Sequence, residues 1–271
     1  MPSTPRFYSE RTLLVEAYDA LHATDMSGKP IEGDAVFYRE LAEEQGGPIV
    51  DLGCGTGRIA FFLAEVGFEV VGLDRSEPML AIAESKRRAA PREIASRVKL
   101  VAGDMADFEL VRRFRLVVIA FRSFANLLTV AAQRSCLAAV RRHLEPGGVL
   151  TIDLFDPRLD LCVPDPPGEY PQPRGEATLP DSGNRVEVVA TERRNDPLRQ
   201  VLTEVWRLTE RSPDGGIVRQ ENEELVLRWT YRYELHHLLE LAGFELVAEY
   251  SDFAKSPSAY GRELIVVARA R

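Results

Sequence analysis

The chain has 271 residues, of which 45% are hydrophobic and 28% are charged, and its formal net charge at pH 7 is −8. This length is enough to bury one large core, or a core with an appended lobe. Because nucleic-acid affinity comes largely from clustered lysine and arginine, the acidic balance argues against a phosphate backbone as partner. Three widely spaced cysteines, a polar N-terminus and the lack of a membrane-length apolar run favour a cytoplasmic protein that does not bind membranes.

From Gly47 to about Phe155, short β-rich runs alternate with helical stretches. The spacing predicts strands over residues 48–52, 68–73, 98–101, 116–120 and 149–155, with helices over 58–66, 78–88 and 131–144. Strands that alternate with helices form right-handed βαβ units, so this part of the chain is expected to build a parallel sheet.

The alternation stops after residue 155. Seven prolines lie between Asp156 and Asp181, too many for a core strand or helix. Three β-leaning runs follow, near 185–193, 200–210 and 217–228, and a Pro213–Gly216 turn signal between the last two predicts a hairpin. A helix at 232–242 and strands at 244–250 and 263–268 then resume the earlier pattern. Residues 157–228 are therefore predicted to form an antiparallel insertion.

A glycine-rich loop, Gly53-Cys54-Gly55-Thr56-Gly57, joins the first predicted strand to the first helix. Its glycines permit a tight turn and a close approach of a ligand to the backbone. Asp74 ends the second strand, where a carboxylate can accept hydrogen bonds from both hydroxyl groups of a ribose. The dinucleotide fingerprint places Gly or Ala where this chain has Arg58, which counts against an NAD(P)-dependent oxidoreductase.

With these motifs the chain resembles the class I S-adenosylmethionine-dependent methyltransferases. The first matching motif is Val50–Gly57, which ends with the glycine loop, and Asp74 is the second. They are followed in the family's order by Gly103-Asp104-Met105, by Leu116–Phe121 and by His143–Gly148. The resemblance covers roughly residues 35–155 and, more loosely, 229–269. It implies a seven-stranded Rossmann-like sheet with helices on both faces, and an antiparallel β insertion that forms a small lobe.

The resemblance also implies the cofactor, S-adenosyl-L-methionine, and the residues that bind it. Asp51 and the glycine loop are expected beside the methionine part, Asp74 at the ribose, and Asp104 with Met105 at the adenine. Residues 120–122 are expected at the reactive end. The predicted cofactor-binding set is Tyr18, Asp51, Gly53, Cys54, Gly55, Thr56, Gly57, Asp74, Arg75, Met79, Asp104, Met105, Ala120, Phe121 and Arg122.

Methyl transfer from a sulfonium is an in-line displacement, which mainly needs alignment and exclusion of water. A general base is needed only when the acceptor keeps its proton near neutral pH. The sequence therefore identifies no catalytic residue, and its weak candidates are Tyr18, Arg122, Asn126 and Tyr231. No metal site is predicted, because the four histidines lack partners at metal-ligand spacing, and His236 and His237 are expected to face solvent.

The patterns and the resemblance together divide the chain into three segments. Residues 1–34 form a predicted lid, residues 35–156 and 229–271 the cofactor-binding domain, and residues 157–228 a β-rich lobe on the acceptor side. The resemblance implies a methyltransferase that acts on oxygen or nitrogen of a small molecule, as a monomer or homodimer without a nucleic-acid or membrane partner. The alternatives are a non-catalytic S-adenosylmethionine-binding module and, less favoured, an NAD(P)-dependent oxidoreductase.

Overall fold

The computed structural model describes residues 7–22, 33–164 and 168–271. The chain divides into two compact units. One comprises residues 1–31 and 159–227, and the other comprises residues 32–158 and 228–271. Most of the predicted lid segment and of the insertion therefore falls in one unit, although residues 1–6, 23–32 and 165–167 are outside the described residues.

The helices, in chain order, are α1 (Leu13–Leu21), α2 (Gly33–Gln45), α3 (Arg58–Glu65), α4 (Glu77–Ala89), α5 (Arg92–Arg97), α6 (Val130–His143) and α7 (Arg232–Leu241). The strands are β1 (Ile49–Leu52), β2 (Val70–Asp74), β3 (Val98–Ala102), β4 (Phe114–Ile119), β5 (Leu144–Phe155), β6 (Gln172–Thr178), β7 (Arg185–Asp196), β8 (Val201–Arg211), β9 (Ile217–Arg228), β10 (Phe244–Tyr250) and β11 (Glu263–Ala270).

Seven strands form one mixed sheet in the order β10-β11-β5-β4-β1-β2-β3. Strands β1 to β5 run parallel, whereas β11 pairs antiparallel with both β5 and β10. The sheet confirms the predicted fold. All four residues of β1 are buried, as expected for a central strand covered on both faces. The carboxyl ends of β1, β2 and β4 meet at one edge, where α/β proteins bind their ligands.

The sequence misplaced several boundaries in this unit. β5 begins at Leu144 rather than at the predicted Val149, because the Pro146–Gly148 segment bulges between two stretches that pair with β4. The short helix α5 was not predicted at all. Residues 107–111 are not helical. Just before them, the Asp104 carboxylate accepts the Ala106 N–H at 2.8 Å, within a tight turn.

The other unit contains a separate four-stranded antiparallel sheet in the order β6-β7-β8-β9. Its first strand, β6, was missed because prolines dominate the segment before it. The missing N–H of Pro173 is tolerated there because β6 is an edge strand. The predicted turn joins β8 to β9, with the Ser212 N–H donating to the Gly216 carbonyl at 2.9 Å. On this sheet, Leu13, Leu14 and Ala17 of α1 pack into a buried cluster.

Candidate functional site

The glycine loop turns sharply between β1 and α3. Gly53, Gly55 and Gly57 have φ angles of +75°, +54° and +81°, in the left-handed region that favours glycine. The loop is tied to β2, since the Gly53 N–H donates to the Leu73 carbonyl at 2.7 Å. Gly57 then serves as the N-cap of α3. The three glycines are therefore required by the backbone path of this loop.

Gly53 is also where three segments meet. A Cβ atom added to Gly53 would lie 2.8 Å from Ser123 and 3.0 Å from the Met105 Cε atom. The Ser123 hydroxyl group lies 3.4 Å from the Gly53 carbonyl oxygen, to which it donates. The predicted adenine segment, at Met105, and the segment after β4 thus both contact the glycine loop.

Asp74 binds the backbone of this loop. Its carboxylate accepts the Gly55 N–H at 2.7 Å through one oxygen and the Ser76 N–H at 2.8 Å through the other. Burial raises the pKa of Asp74, and these two bonds oppose the rise because they stabilise the charged form. Asp74 therefore shapes the loop, and each of its oxygens retains lone-pair capacity for a further donor.

Asp51, in β1, is 2% exposed. Its Oδ1 atom is buried and has no hydrogen-bond partner among the described residues. Burial raises the pKa of Asp51 to about 7, against the attraction of Arg58, and the carboxylates of Asp74 and Asp153 raise it further. A buried carboxylate with an unsatisfied oxygen beside two other carboxylates is suited to bind a cation. The methionine part of S-adenosylmethionine supplies an ammonium group, so Asp51 fits this cofactor.

The backbone after β4 takes an unusual course. Phe121 and Arg122 have φ angles of +54° and +60°, which side chains other than glycine rarely adopt. Both N–H groups donate to the Asp153 carboxylate, at 2.8 Å and 3.0 Å. Tyr38, fully buried in α2, donates its hydroxyl group to the same carboxylate. Asp153 thus stabilises a strained turn that contains two of the residues predicted for the reactive end of the cofactor.

Neither Asp153 nor Tyr38 was predicted from the sequence. The available signal was one acidic residue inside the apolar run of β5, Leu150–Phe155. A charge in such a strand is buried only when it is paired or hydrogen-bonded. Burial raises the pKa of Asp153 to about 6, while the Tyr38 hydroxyl bond lowers it. The pKa of Tyr38 is raised well above its ordinary value by burial and by the Asp153 charge.

Arg58, which distinguished this loop from a dinucleotide fingerprint, has a structural partner. Its guanidinium forms a two-pronged ion pair with the buried carboxylate of Asp34 at the start of α2. It also lies 5.6 Å from the centre of the Phe121 ring, within the range of a cation–π contact. Arg58 therefore connects α2, the glycine loop and the turn after β4.

The remaining predicted cofactor residues of this unit follow the strands of the seven-stranded sheet or lie in the glycine loop. Met79 is buried in α4, with its Cε 3.1 Å from a Cβ built on Gly55, whereas Arg75 is exposed. Thr56 is fully buried and Asp104 is exposed. Burial raises the pKa of the Cys54 thiol well above its ordinary value, which agrees with a packing role rather than a nucleophilic one.

The weak catalytic candidates are not all in one unit. Arg122 pairs with Glu263 at 2.6 Å, and the Asn126 side chain donates to the Ser123 carbonyl at 3.2 Å. Tyr231 is the N-cap of α7, with its ring 5.2 Å from that of Trp229. Tyr18 lies in the other unit, on α1, with its ring 4.2 Å from that of His22. The structure assigns a catalytic role to none of them.

The expectation that both His236 and His237 face solvent is only partly met. His237 is exposed as predicted, but His236 is only partly exposed and pairs with Glu249. His143 is buried and accepts the Leu110 N–H at 2.9 Å. Within residues 7–22, 33–164 and 168–271, no group of three or more metal-ligating side chains is found. Nor does any helix in those ranges have the length and apolar character needed to cross a membrane.

Comparisons with known proteins agree with this site. A methyltransferase-domain family matches residues 49–148, which include the glycine loop, Asp74 and Asp104. The structure of the CcbJ methyltransferase from Streptomyces caelestis is 30% identical over 98% of both chains, with a TM-score of 0.74. CalS10, an amino pentose methyltransferase from Micromonospora echinaspora, is 27% identical over 89% of this chain and 90% of its own, with a TM-score of 0.63. A cypemycin N-terminal methyltransferase from a Streptomyces species is 28% identical over 269 residues, or 98% of each chain.

These similarities set aside the NAD(P)-dependent oxidoreductase and the non-catalytic binding module. The glycine loop, the strand order and the 30% identity to CcbJ over 98% of both chains lead to the same conclusion. The chain belongs to the class I S-adenosylmethionine-dependent methyltransferases, and it is an enzyme that uses S-adenosylmethionine.

Proposed function

We propose that this enzyme transfers the methyl group of S-adenosylmethionine to a nitrogen or oxygen atom of a small-molecule acceptor, with nitrogen the favoured atom. One observation carries the preference for nitrogen. One relative, 28% identical over 98% of both chains, methylates the N-terminus of cypemycin, according to its name. The amino pentose methyltransferase of similar fold supports the same class of acceptor, an amine.

The proposed cofactor site follows the expectations from the sequence. Asp51 offers its unpartnered oxygen to the ammonium group of the methionine part, and Asp74 accepts hydrogen bonds from the ribose. Asp104 and Met105 adjoin the adenine. Residues 120–122 line the reactive end, where Asp153 fixes the backbone of Phe121 and Arg122.

The proposed chemistry is an in-line displacement. S-adenosylmethionine supplies an electrophilic methyl group on a positively charged sulfur, which keeps the electrons of the broken bond. The chain's own residues orient the reactants and exclude water. An uncharged amine attacks with its lone pair and loses a proton afterwards, so no strong base is required. Tyr18, Arg122, Asn126 and Tyr231 remain the candidates for contact with the reacting groups.

The test is a methyl-transfer assay with matched acceptors. The purified enzyme is incubated with S-adenosylmethionine and an amino sugar, a peptide with a free N-terminal amine, or the hydroxyl counterpart of each. Methylation is detected by mass spectrometry. Methylation of the amines alone is the expected result, and methylation of the hydroxyl compounds alone would overturn the preference for nitrogen.

A further inference from the structure

His143, the last residue of α6, is 3% exposed, and both nitrogen atoms of its ring have hydrogen-bond partners. The Nε2 atom accepts the Leu110 N–H at 2.9 Å. The Nδ1 atom donates to the Ala139 carbonyl at 2.8 Å, within the same helix. Because a backbone N–H can only donate and a carbonyl can only accept, these two partners select the neutral ring with its proton on Nδ1.

The surroundings of the ring agree with a neutral acceptor. Phe108 is buried, and its ring centre lies 4.6 Å from that of His143. The Glu109 carboxylate lies 3.5 Å from Nε2, beyond the ordinary range of a hydrogen bond, and its side chain is 83% exposed. The Leu110 N–H is therefore the hydrogen-bond partner of Nε2, and Leu110 lies 33 positions before His143 in the chain.

Leu110 belongs to the loop of residues 103–113, which joins β3 to β4 and contains no helix or strand. The loop carries Asp104 and Met105, the residues proposed for the adenine. It starts with a closed turn, in which the Asp107 N–H donates to the Asp104 carbonyl at 3.0 Å. The position of this turn relative to the sheet therefore depends on the contacts at its two ends.

The two ends of the turn are held by different elements. Before it, the Gly103 N–H donates to the Asp74 carbonyl at 2.9 Å, at the end of β2. After it, Phe108 packs on the His143 ring and the Leu110 N–H donates to that ring. One end is thus tied to the residue proposed for the ribose, and the other is tied to α6.

Helix α6 also lies near the turn itself. Burial raises the pKa of the Cys136 thiol in this helix, and the Asp104 charge raises it further. Without His143 as an acceptor, the partly buried Leu110 N–H would be unsatisfied, which is unfavourable away from water. A loop that loses this bond can move at one end while the other end stays fixed on β2.

We propose that His143 is a positioning residue for the adenine end of the cofactor site, and that it acts by holding the loop of residues 103–113 through Leu110. The inference rests on the proposed function, which assigns Asp104 and Met105 to the adenine. It extends that function to a residue that acts through the loop rather than by contact with the cofactor.

The first experiment compares His143→Gln with His143→Asn. The glutamine amide reaches the position of Nε2 and can offer its oxygen to the Leu110 N–H, whereas the shorter asparagine amide reaches only the position of Nδ1. Hydrogen exchange is measured at the Leu110 amide, and the affinity for S-adenosylhomocysteine is measured by titration calorimetry. Leu235→Ala is the control for general destabilisation, because Leu235 is fully buried in α7.

His143→Asn is expected to speed exchange at the Leu110 amide and to weaken S-adenosylhomocysteine binding about fivefold or more, because the loop loses one of its fixed ends. His143→Gln is expected to keep most of the Leu110 protection and to stay within about twofold of the wild-type affinity. Leu235→Ala should lower the melting temperature and leave the affinity unchanged. Equal affinity losses in the two His143 variants would overturn the proposal.

The wild type gives a check that does not depend on any variant. Nitrogen-15 NMR of the His143 ring at neutral pH should show a proton on Nδ1 and none on Nε2, and the Leu110 amide should be protected from exchange. A proton on Nε2, or a Leu110 amide that exchanges freely, would contradict the proposed role.

The second experiment separates this inference from the adenine assignment. Methylthioadenosine contains adenine and ribose but no amino-acid part, so His143→Asn should weaken its binding by the same factor as the binding of S-adenosylhomocysteine. In the methyl-transfer assay, the same variant should raise KM for S-adenosylmethionine and leave KM for the acceptor unchanged. If Asp104→Ala weakens the binding of both ligands and His143→Asn weakens neither, the positioning role is wrong and the adenine assignment stands. If neither variant weakens either ligand, the adenine assignment itself fails, and this inference fails with it.

Discussion

Tyr38 donates its hydroxyl group to Asp153, and the same carboxylate accepts the backbone N–H groups of Phe121 and Arg122. Tyr38 and Asp153 are 115 positions apart in the chain, on α2 and β5. One buried carboxylate therefore connects a helix to a left-handed turn that follows the central strand β4. The turn is therefore stabilised by hydrogen bonds to a residue that is distant from it in the sequence.

Asp153→Asn is expected to lower the free energy of unfolding by about 1.5–3 kcal/mol, because hydrogen bonds to a charged group contribute about that much. The two N–H groups donate to different carboxylate oxygens, so an asparagine would present an NH2 donor to one of them. Tyr38→Phe should have a smaller effect in the same direction. Urea denaturation measures both. In hydrogen exchange, the amides of Phe121 and Arg122 should exchange faster in Asp153→Asn.

Tyr250→Phe is the matched control for the tyrosine variant. Tyr250 packs against Phe37, as the ring of Tyr38 does, but its hydroxyl group makes no hydrogen bond with the described residues. If Tyr250→Phe cost as much stability as Tyr38→Phe, the bond to Asp153 would not be the cause.

Asp51 should make the stability of the protein depend on pH. The folded protein holds the Asp51 proton up to about pH 7, whereas the ordinary pKa is 3.8. Between these values the folded state binds more protons than the unfolded state. The free energy of unfolding should therefore fall as the pH rises through this range, by at most about 1.4 kcal/mol per pH unit for this one group. Asp51→Asn should make the pH dependence shallower, as measured by urea denaturation at several pH values.

The same group should make cofactor binding depend on pH. An ammonium group beside Asp51 favours the charged carboxylate, so binding should release a proton below pH 7. The affinity for S-adenosylhomocysteine should then rise with pH towards 7, by up to about tenfold per unit. Titration calorimetry in buffers of different ionisation enthalpy counts the protons released. An identical proton count in Asp51→Asn would exclude Asp51 as their source.

Two glycines with positive φ should respond differently to alanine. Gly53→Ala combines a strained φ with a clash against Ser123, whereas Gly67→Ala has a φ of +106° and open space around it. Both substitutions should lower stability by about 1–3 kcal/mol through backbone strain. Only Gly53→Ala should also weaken S-adenosylhomocysteine binding, by at least tenfold, because the loop must shift. Equal affinity losses in the two variants would point to a global effect instead.

Asp74→Ala is expected to weaken S-adenosylhomocysteine binding at least tenfold, through loss of ribose bonds worth about 1.5–3 kcal/mol each. It also removes the acceptor for the Gly55 N–H, so Asp74→Asn should lie between the wild type and Asp74→Ala. Titration calorimetry measures the affinities. Asp252→Ala is the control, since Asp252 likewise accepts a backbone N–H, from Ser256, in a different loop. Unchanged affinity in Asp74→Ala would remove the ribose assignment.

The glycine loop and Asp74 were accessible from the sequence because their signals are local. A turn that needs left-handed residues shows glycine, and Asp74 shows as a polar residue at the end of an otherwise apolar strand. The seven-stranded sheet was accessible for a similar reason, since the alternation of strands and helices determines a parallel sheet. Its boundaries were less accurate, as the early start of β5 shows.

The partners of Asp153 and Arg58 could not be predicted from the sequence. Each contact joins residues that become neighbours only after the sheet has formed, and neither leaves a periodic pattern. Strand β6 was missed for the opposite reason. The prolines in and before it argue locally against a strand, and the sequence does not show that β6 lies at a sheet edge, where prolines are tolerated.

Helix α1, part of the segment predicted as a lid, is packed on the four-stranded sheet. Leu13, Leu14 and Ala17 are fully buried in a cluster with Val186, Val188 and Leu208. The Leu13 N–H donates to Glu221 at 2.7 Å. These contacts all lie within the compact unit that comprises residues 1–31 and 159–227, which does not contain the glycine loop. We therefore expect the amides of α1 to be protected from hydrogen exchange before S-adenosylmethionine is added, and to change little afterwards.

A lid that opens by releasing α1 gives a different result, since its amides would gain protection when the cofactor binds. Leu14→Ala offers an internal control, because it removes about 2–5 kcal/mol of packing and should make α1 exchange faster in both states. The lid would be supported by two results together. Without cofactor, the α1 amides of the wild type would exchange as fast as those of Leu14→Ala, and with cofactor they would become protected. Tyr18→Phe tests the contact itself: it should weaken S-adenosylhomocysteine binding only if the Tyr18 hydroxyl group touches the cofactor. An unchanged affinity, together with equal protection, would leave Tyr18 a packing residue of α1.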